Sequence, residues 1–344
     1  MTPATPAHLS PAGLSPPGLS PLGPVRPHRP GTPLRVGTRP SPLALVQTRG
    51  FLALVRAACP VLRDLDAFVE HPIRTTGDAV QDRRLAEIGG KGLFAKEIHE
   101  ALADRRIDFA VHSLKDLETE LPPGLVLACV LRREDPRDAL ILCDPPAEID
   151  PARPFDALAP GATIGTASLR RQAQLLAARP DLRVTMLRGN VQTRLDRIAA
   201  GAADATLLAL AGLRRLGLAD RASVVLDADV MVPAAGQGIV GITVRGEDTE
   251  LAELLGMLAD PAATAEAAAE RALLAALDGS CRTPIGAHAR LRPDGSLNLT
   301  GLLARGDGTY LDRREIVGPA HEAARLGAAL GAALRADAPA DLLV

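Results

Sequence analysis

Six arginines lie close together near the middle of the chain, in two motifs and one further pair. The motifs are 168–172 (SLRRQ) and 187–194 (LRGNVQTR), and the pair is Arg214 and Arg215. A guanidinium group stays protonated at any working pH and presents a rigid fork of donors that pairs bidentately with a carboxylate or a phosphate. The whole chain has a formal net charge of only −2, with 39 basic and 41 acidic residues, so this positive charge is local. The pattern predicts a site for a ligand with several negative groups.

A second cluster of reactive types follows an apolar strand pattern at 109–111. Ser113, Lys115 and Asp116 come directly after it, which places them at the carboxyl end of a strand, where the catalytic groups of α/β proteins commonly lie. The alternative is that Lys115 and Asp116 form a surface ion pair of little energetic value.

One cysteine differs in context from the other three. Cys281 lies in a Gly-flanked turn after a helical pattern, where its thiol can be an exposed nucleophile. Cys59, Cys129 and Cys143 are interpreted as small buried apolar residues. No cysteine has a CxxC partner or a histidine at metal-ligand spacing, so we expect neither a zinc site nor a redox dithiol.

Helix starts supply further anion-binding candidates. Arg39 and Ser41 lie where a strand meets a helix with Pro42 at its first position, and Thr166 and Ser168 occupy the equivalent place later in the chain. The serines and the threonine could equally be simple N-caps. Arg170, Arg171, Arg188 and Arg194 also fall at such junctions, whereas the remaining arginines of this region are interpreted as solvated side chains: Arg179, Arg183 and Arg197. Residues 89–94 (GGKGLF) lack the spacing of a phosphate-binding loop and predict a mobile loop before a helix.

The elements that must position these residues alternate between strand and helix. Strand patterns at 34–36, 109–111, 163–164, 183–187 and 206–210 are separated by helical patterns from about 41, at 94–102, 170–178 and 190–200. This alternation is typical of an α/β fold with two βαβ lobes. An Ala-rich helix at 265–277, followed by two or three strands, predicts a small α+β unit at the end. Residues 1–33 contain ten of the 29 prolines and predict a disordered tail.

Composition excludes several functional classes. Aromatic residues make up 2% of the 344 residues, with no tryptophan, so a stacking platform for nucleic acids is not expected. No apolar run is long enough to cross a membrane, and the N-terminus lacks the order of a secretory signal. The sequence predicts a cytoplasmic protein that binds neither nucleic acid nor membrane.

Seven ordered motifs closely resemble the porphobilinogen deaminase family, whose members are also called hydroxymethylbilane synthases. The resemblance covers residues 34–289. The motifs are 36–44 (VGTRPSPLA), 90–94 (GKGLF), 111–116 (VHSLKD), 133–139 (REDPRDA), 165–172 (GTASLRRQ), 187–194 (LRGNVQTR) and 279–286 (GSCRTPIG).

The resemblance implies a monomeric transferase of haem biosynthesis that joins four porphobilinogen molecules head to tail on a dipyrromethane primer, held through a thioether to Cys281. It implies two lobes like those of solute-binding proteins and a third domain, with boundaries at 34–132 plus 234–256, 133–233 and 257–344. Asp116 is then the catalytic residue. Cofactor contacts are expected from Ser113, Lys115, Thr166, Ser168, Arg170, Arg171, Arg188 and Gly189. Substrate contacts are expected from Arg39, Ser41, Lys91, Phe94, Arg188, Arg194, Arg215 and Gln237. No metal is expected, and residues 74–92 are expected to form a lid with Lys91 and Phe94 at its base.

Two departures from the family pattern stand out. Leu117 and Glu118 replace the usual Val-Pro after Asp116, and Ser280 stands where Gly is common. The competing hypothesis is a two-lobed receptor that captures a carboxylate-rich small molecule without transforming it, which would need neither Cys281 nor Asp116. RNA binding through the arginines is disfavoured by the charge balance.

Overall fold

The computed structural model describes residues 33–63, 66–80, 92–277 and 283–342. The strands are β1 (Leu34–Thr38), β2 (Phe68–Pro72), β3 (Phe109–Ser113), β4 (Leu125–Val130), β5 (Asp138–Leu142), β6 (Thr163–Gly165), β7 (Arg183–Thr185), β8 (Ala205–Ala209), β9 (Val224–Val225), β10 (Val240–Arg245), β11 (Ile285–Leu291), β12 (Ser296–Ala304) and β13 (Leu311–Pro319). The helices are α1 (Pro42–Ala58), α2 (Thr76–Ala79), α3 (Lys96–Ala103), α4 (Leu169–Ala178), α5 (Val191–Ala199), α6 (Leu210–Arg215), α7 (Thr249–Gly256), α8 (Pro261–Ala276) and α9 (Ala323–Ala336).

Two five-stranded sheets share one topology. The first has the order β2-β1-β3-β10-β4 and the second the order β7-β6-β8-β5-β9. In each sheet three parallel strands are followed by one strand, β10 or β5, that runs antiparallel to both of its neighbours. The predicted α/β class with two βαβ lobes is confirmed. Below, the first lobe is the unit built on the first sheet and the second lobe is the unit built on the second sheet.

Central strands are apolar on both faces, because helices cover the two sides of each sheet. Every residue of β10 is buried, and Phe51 of α1 packs edge-on against Phe109 of β3 with 5.9 Å between ring centroids. In the second lobe the core includes Leu140, Ile164 and Leu207, all fully buried. Each lobe therefore has its own hydrophobic core.

Helix boundaries follow capping chemistry that is visible in the sequence. Ser41 caps α1, Ser168 caps α4 and Asn190 caps α5, each accepting a hydrogen bond from the backbone N–H three residues on. The predicted elements agree with the observed ones to within a few residues, except that the Ala-rich helix begins earlier, at Pro261, because Asp260 caps it.

The C-terminal unit is a three-stranded antiparallel sheet, β11-β12-β13, covered by α8 and α9. The two helices approach closely at Gly327, where an added Cβ would lie 2.1 Å from the carbonyl oxygen of Ala269. The predicted small α+β unit is confirmed, although α9 was not anticipated from the sequence.

The chain crosses between the lobes twice, at 131–137 and 226–239, and both crossings are tied to the C-terminal unit. Glu270 of α8 is completely buried and accepts hydrogen bonds from the Gly236 backbone N–H at 2.6 Å and from Arg133 at 2.6 Å. Arg133 also donates to the Gln237 carbonyl oxygen at 2.9 Å. No helix in the described part of the chain is both long and apolar enough to span a bilayer.

Candidate active site

Lys115 and Asp116 lie on a short 3-10 turn, Leu114–Asp116, that directly follows β3. Leu114 anchors this turn, since its side chain is 1% exposed and an added Cβ at Gly236 or Gly241 would lie 3.0 Å from it. Burial of the leucine turns the next two side chains outward. The structure thus places Lys115 and Asp116 at the carboxyl edge of the first sheet, as the sequence predicted.

Arg39, which follows β1, contacts two carboxylates. Its Nη1 donates to Asp116 at 3.0 Å, while Nη2 and Nε donate to Asp78 at 2.5 and 3.3 Å. The ring of Phe94 covers the guanidinium group, with 4.2 Å between the central carbon and the ring centroid. Although desolvation acts to lower the pKa of Arg39, Asp116 and Asp78 raise it overall, so the group remains a cation.

Asp78 is presented by the one-turn helix α2. Its carboxylate forms a capping box with Thr75, accepting hydrogen bonds from the Thr75 hydroxyl at 2.8 Å and backbone N–H at 3.3 Å. Burial acts to raise the pKa of Asp78, but Arg39 and Thr75 outweigh that effect and the pKa is lowered. The neighbouring Gly77 packs against Phe94 with no space for a side chain.

Arg170 and Arg171 lie at the start of α4 in the second lobe, and both are 6% exposed. They donate to opposite oxygens of Asp138, at 2.8 and 2.7 Å, and Asp138 is completely buried at the start of β5. Arg170 donates in addition to the Val232 carbonyl oxygen and Arg171 to that of Leu207, both at 2.7 Å. Protein acceptors therefore already receive hydrogen bonds from both guanidinium groups, which the sequence-based interpretation did not foresee.

Gln237 connects this buried cluster to Lys115, which faces the cleft between the two lobes. Its side-chain amide nitrogen donates to Asp138 at 2.9 Å and to the Pro136 carbonyl oxygen at 2.7 Å. Its amide oxygen accepts a hydrogen bond of 3.2 Å from the Lys115 amine. Gln237 is 1% exposed, so a buried side chain orients the Lys115 amine.

Lys115 is reached by solvent in the cleft, yet protein atoms surround it on several sides. Desolvation, followed by the positive charge of Arg171, lowers its pKa to about 8, and Asp116 and Asp138 act in the opposite direction. The amine therefore responds to charges from both lobes. Hydrogen bonds from Lys115 to Gln237 and from Gln237 to Asp138 place the carboxyl edge of the first sheet beside the arginine cluster of the second.

The side of the cleft formed by the second lobe carries three more arginines: Arg188, Arg194 and Arg215. Together with Arg170 and Arg171 they form its basic wall. Arg188 is 5% exposed and donates to the Gly77 carbonyl oxygen across the cleft at 3.0 Å. Arg194 donates to the carbonyl oxygen of Gly189 and Arg215 donates to that of Gly238, and no carboxylate among the described residues pairs with either arginine. Desolvation and the positive charges of Arg171 and Arg188 lower the pKa of Arg194 to about 10, with Asp116 opposing them.

The small polar residues predicted for the site form local hydrogen bonds. Ser41 and Ser168 act as N-caps, accepting from Ala44 and Arg171. Thr166 is 3% exposed and accepts from the Ser168 backbone N–H at 3.1 Å, while Ser113 donates to Gln47 at 3.0 Å. Capping accounts for the two serines, so any ligand contact from them stays a prediction.

Gly189, which precedes the cap of α5, has a φ of 114°, and an added Cβ would lie 2.9 Å from Thr193. Only glycine fits this turn without strain. Arg188 directly precedes this turn, and the Arg194 side chain donates to the Gly189 carbonyl oxygen at 2.9 Å.

Several predictions fall outside the described residues or need correction. Cys281 and Lys91 lie outside them, as do residues 1–32 and most of the expected lid, 81–91. Cys129 is buried as expected and Cys59 is partly buried, but Cys143 is exposed because it follows the end of β5. Arg183 and Arg197 are exposed as predicted.

The prediction for Arg179 was wrong. This side chain is 21% exposed, pairs with Asp181 and donates to the Phe155 carbonyl oxygen at 2.7 Å. It closes the C-terminal end of α4, so it is held by the protein instead of being solvated.

Sequence reasoning missed two carboxylates of the site, Asp78 and Asp138. Asp78 has a local signal, since Thr75 lies three residues before it in the spacing of a capping box. Asp138 belongs to the motif at 133–139, yet its partners lie more than 30 residues away along the chain.

Together the site offers a cationic wall for anionic groups and one carboxylate, Asp116, that can stabilise developing positive charge. The described residues contain no group of three or more potential metal ligands.

Comparison with known proteins gives the family. The family model "Porphobilinogen deaminase, dipyromethane cofactor binding domain" matches residues 34–253, and "Porphobilinogen deaminase, C-terminal domain" matches residues 264–336. A solved periplasmic sulfonate-binding protein from Methylobacillus flagellatus is 14% identical with a TM-score of 0.37, covering 70% of this chain and 67% of its own, a similarity too distant to inform function.

Relatives named porphobilinogen deaminase match over most of their length. The protein from Sorangium cellulosum is 49% identical, covering 88% of this chain and 99% of its own. That from a Caulobacter species is 51% identical, with 89% and 96% covered, and the chloroplastic protein of rice is 46% identical, with 83% and 78% covered. This chain is therefore a member of the porphobilinogen deaminase family.

Proposed function

We propose that this chain is a hydroxymethylbilane synthase, a transferase that joins four porphobilinogen molecules head to tail, with loss of ammonia, in the formation of haem. The observation that carries the proposal is the position of Asp116, which Arg39 holds at 3.0 Å on one side of a cleft whose other side is rich in arginine. Such a cleft binds acidic pyrroles and offers a carboxylate to a cationic ring. Family membership supports the same activity.

The donor set fits a dipyrromethane cofactor. Each of its two rings carries an acetate and a propionate, and the cleft supplies cations from both lobes that lack carboxylate partners among the described residues, such as Arg194. We propose that Lys115, Arg188, Arg194, Thr166 and Ser168 hold these carboxylates, with Ser113 and Gly189 shaping the site. When bound through a thioether to Cys281, the cofactor supplies a primer with a free pyrrole α-carbon.

Asp116 is the proposed catalytic residue. Departure of ammonia breaks the bond between the aminomethyl carbon and nitrogen of porphobilinogen and leaves positive charge on the pyrrole ring. A fixed carboxylate beside the ring stabilises that charge, and such preorganised groups commonly contribute about 100-fold or more to a rate. The hydrogen bond from Arg39 fixes the orientation of the carboxylate before substrate arrives.

The remaining residues divide into binding and positioning groups. Arg39, Arg188, Arg194 and Arg215 are proposed to bind the acetate and propionate groups of the substrate, with hydrogen bonds from Ser41 and stacking on Phe94. Lys91, outside the described residues, is proposed to join them. Arg170 and Arg171 are proposed to contact the cofactor, and their buried hydrogen bonds to Asp138 support a positioning role as well, transmitted through Gln237 to Lys115.

The organisation of the chain is proposed as three domains, 34–132 with 234–256, 133–233 and 257–344, after a tail at 1–33. The assignment of each sheet to one of these ranges supports the division. A monomer in the cytoplasm, without nucleic-acid or membrane partners, stays our prediction.

Mass spectrometry of the intact protein, purified from cells that make porphobilinogen, tests the proposal. We expect a covalent adduct with the mass of two pyrrole units and conversion of porphobilinogen to hydroxymethylbilane. Cys281→Ser should lose the adduct and the activity, whereas Cys143→Ser, which alters an exposed cysteine elsewhere, should retain both. An unmodified wild-type chain that binds porphobilinogen without converting it would instead indicate a receptor.

A further inference from the structure

Asp78 binds Arg39 in the geometry that a substrate carboxylate would need. Bidentate pairing uses two parallel N–H groups along one edge of the guanidinium plane. Asp78 takes the edge formed by Nε and Nη2, at 3.3 and 2.5 Å, and both residues are largely buried, with side chains 16% and 22% exposed. The edge of Arg39 best suited to an acetate or propionate group is therefore occupied by a carboxylate of the protein.

The rest of Arg39 leaves little room for a third carboxylate. Nη1 donates to Asp116 at 3.0 Å, and Phe94 covers one face of the group at 4.2 Å. A ligand carboxylate that pairs bidentately with Arg39 must displace either Asp116 or Asp78. Asp116 is needed beside the reacting ring, so Asp78 is the residue that can be exchanged.

The same short helix also contacts a second binding residue. Gly77 of α2 receives the hydrogen bond from Arg188, which reaches it from the opposite wall of the cleft at 3.0 Å. Thr76 donates to Glu97 of α3 at 2.9 Å through its backbone N–H, so α2 is held to the first lobe. Asp78 is thus placed at Arg39 by a defined set of contacts.

We propose that Asp78 is an internal competitor for substrate carboxylates at Arg39, and that it sets the affinity of the cleft for acidic pyrroles. This inference rests on the proposed function, because it takes Arg39 to be a substrate ligand. When a protein is competent to bind in only a fraction of molecules, its apparent dissociation constant rises by the inverse of that fraction. If Asp78 occupied Arg39 in about 90% of molecules, KM would be raised about tenfold.

The test compares KM and kcat for porphobilinogen in charged and neutral variants at this position. Asp78→Asn keeps the size of the side chain and its ability to accept from Thr75, so we expect KM to fall several-fold while kcat changes by less than about twofold. Asp78→Ser is a second neutral variant, in which Thr75 remains the N-cap of α2. Asp78→Glu retains the charge and should keep KM within about twofold of the wild-type value. Thermal unfolding shows that each variant is folded.

Asp181→Asn is the matched control. Asp181 pairs with Arg179 through the same two guanidinium nitrogens, each at 2.8 Å, but this pair lies at the C-terminal end of α4, so neither constant should change. An unchanged or raised KM in both folded neutral variants, or a fall in kcat of more than about twofold, would overturn the proposal and make Asp78 a residue that orients Arg39. Failure of the wild-type protein to form hydroxymethylbilane would instead refute the proposed function.

Discussion

Arg188 of the second lobe donates a hydrogen bond of 3.0 Å to the carbonyl oxygen of Gly77 in the first lobe. The arginine is only 5% exposed, so water competes little for this contact. Hydrogen bonds from charged donors contribute more than neutral ones, at about 1.5–3 kcal/mol. This contact therefore helps to fix the separation of the two walls between which a ligand would bind.

Gly77→Ala should destabilise the protein, because the added Cβ would lie 2.3 Å from an atom of the Phe94 ring. An aromatic ring cannot bend away, and overpacking of this kind costs about 1–3 kcal/mol. Gly50→Ala, in the exposed middle of α1 with no atom within 4 Å of the new carbon, should instead stabilise by about 0.5–1 kcal/mol. Urea unfolding measures both changes, and equal stabilities would contradict the packing described for Gly77.

Asp116→Asn should lower kcat at least about 100-fold with little change in stability. The asparagine oxygen can still accept the hydrogen bond from Arg39, so the variant removes the charge and retains the geometry. Single-turnover measurements with porphobilinogen would follow the loss of ammonia directly. Asp204→Asn, at an exposed position in the second lobe, is the control and should react at the wild-type rate. An Asp116→Asn variant of near-normal rate would remove Asp116 from its catalytic role.

Local sequence signals predicted the elements that carry these residues. Ser41 with Pro42, Ser168 and Asn190 fix helix starts through contacts three residues away, and such contacts can be recognised without tertiary information. The position of Asp116 after an apolar strand was predictable for the same reason.

Contacts between segments far apart in the sequence were harder to predict. The antiparallel insertion of β10 between β3 and β4 joins segments more than 100 residues apart, and no local pattern encodes it. Burial of Arg170 and Arg171 depends on Asp138, so the arginine motif alone suggested side chains available to ligand. For residues whose contacts cannot be predicted from their spacing in the sequence, the expected roles came from the resemblance to a family.

The pH dependence of KM should report the Lys115 amine. Its pKa is lowered to about 8 by desolvation and by Arg171, so the amine is protonated below that pH and loses its charge above it. If the ammonium group binds carboxylates, KM should rise as pH increases through about 8. Lys115→Arg keeps its charge in this range, because an arginine does not lose its proton there. The variant should therefore lack the rise, and the same rise in both proteins would assign it to another group.

A buried histidine pair should make the protein less stable in mild acid. His99 and His112 lie with ring centroids 5.7 Å apart, and burial lowers their pKa values to about 4 and about 3. Because each folded pKa is below the ordinary value of 6.5, the unfolded chain takes up protons first as pH falls from 6.5, and stability decreases by about 1.4 kcal/mol per pH unit for each histidine.

His99→Leu should reduce this slope between pH 6.5 and 4, as measured by urea unfolding at several pH values. Neither ring nitrogen of His99 has a partner among the described residues, so the leucine should also stabilise the protein at pH 7. A wild-type slope in His99→Leu would show that other groups govern the acid response.

Asp138→Asn should be among the most destabilising single changes in the second lobe. Its carboxylate is completely buried and neutralises both Arg170 and Arg171, whose charges outweigh desolvation and hold its pKa well below 3.8. That stabilisation is present above pH 3.8 and is lost as pH falls through the lower folded value. At pH 7 the asparagine leaves two buried guanidinium groups without a counter-charge, so we expect a loss of about 3–5 kcal/mol in the free energy of unfolding. Asp181→Asn, in an Arg–Asp pair whose aspartate side chain is 42% exposed, should show a much smaller loss, and equal stability of the two variants would mean that the Asp138 cluster is not a structural centre of the lobe.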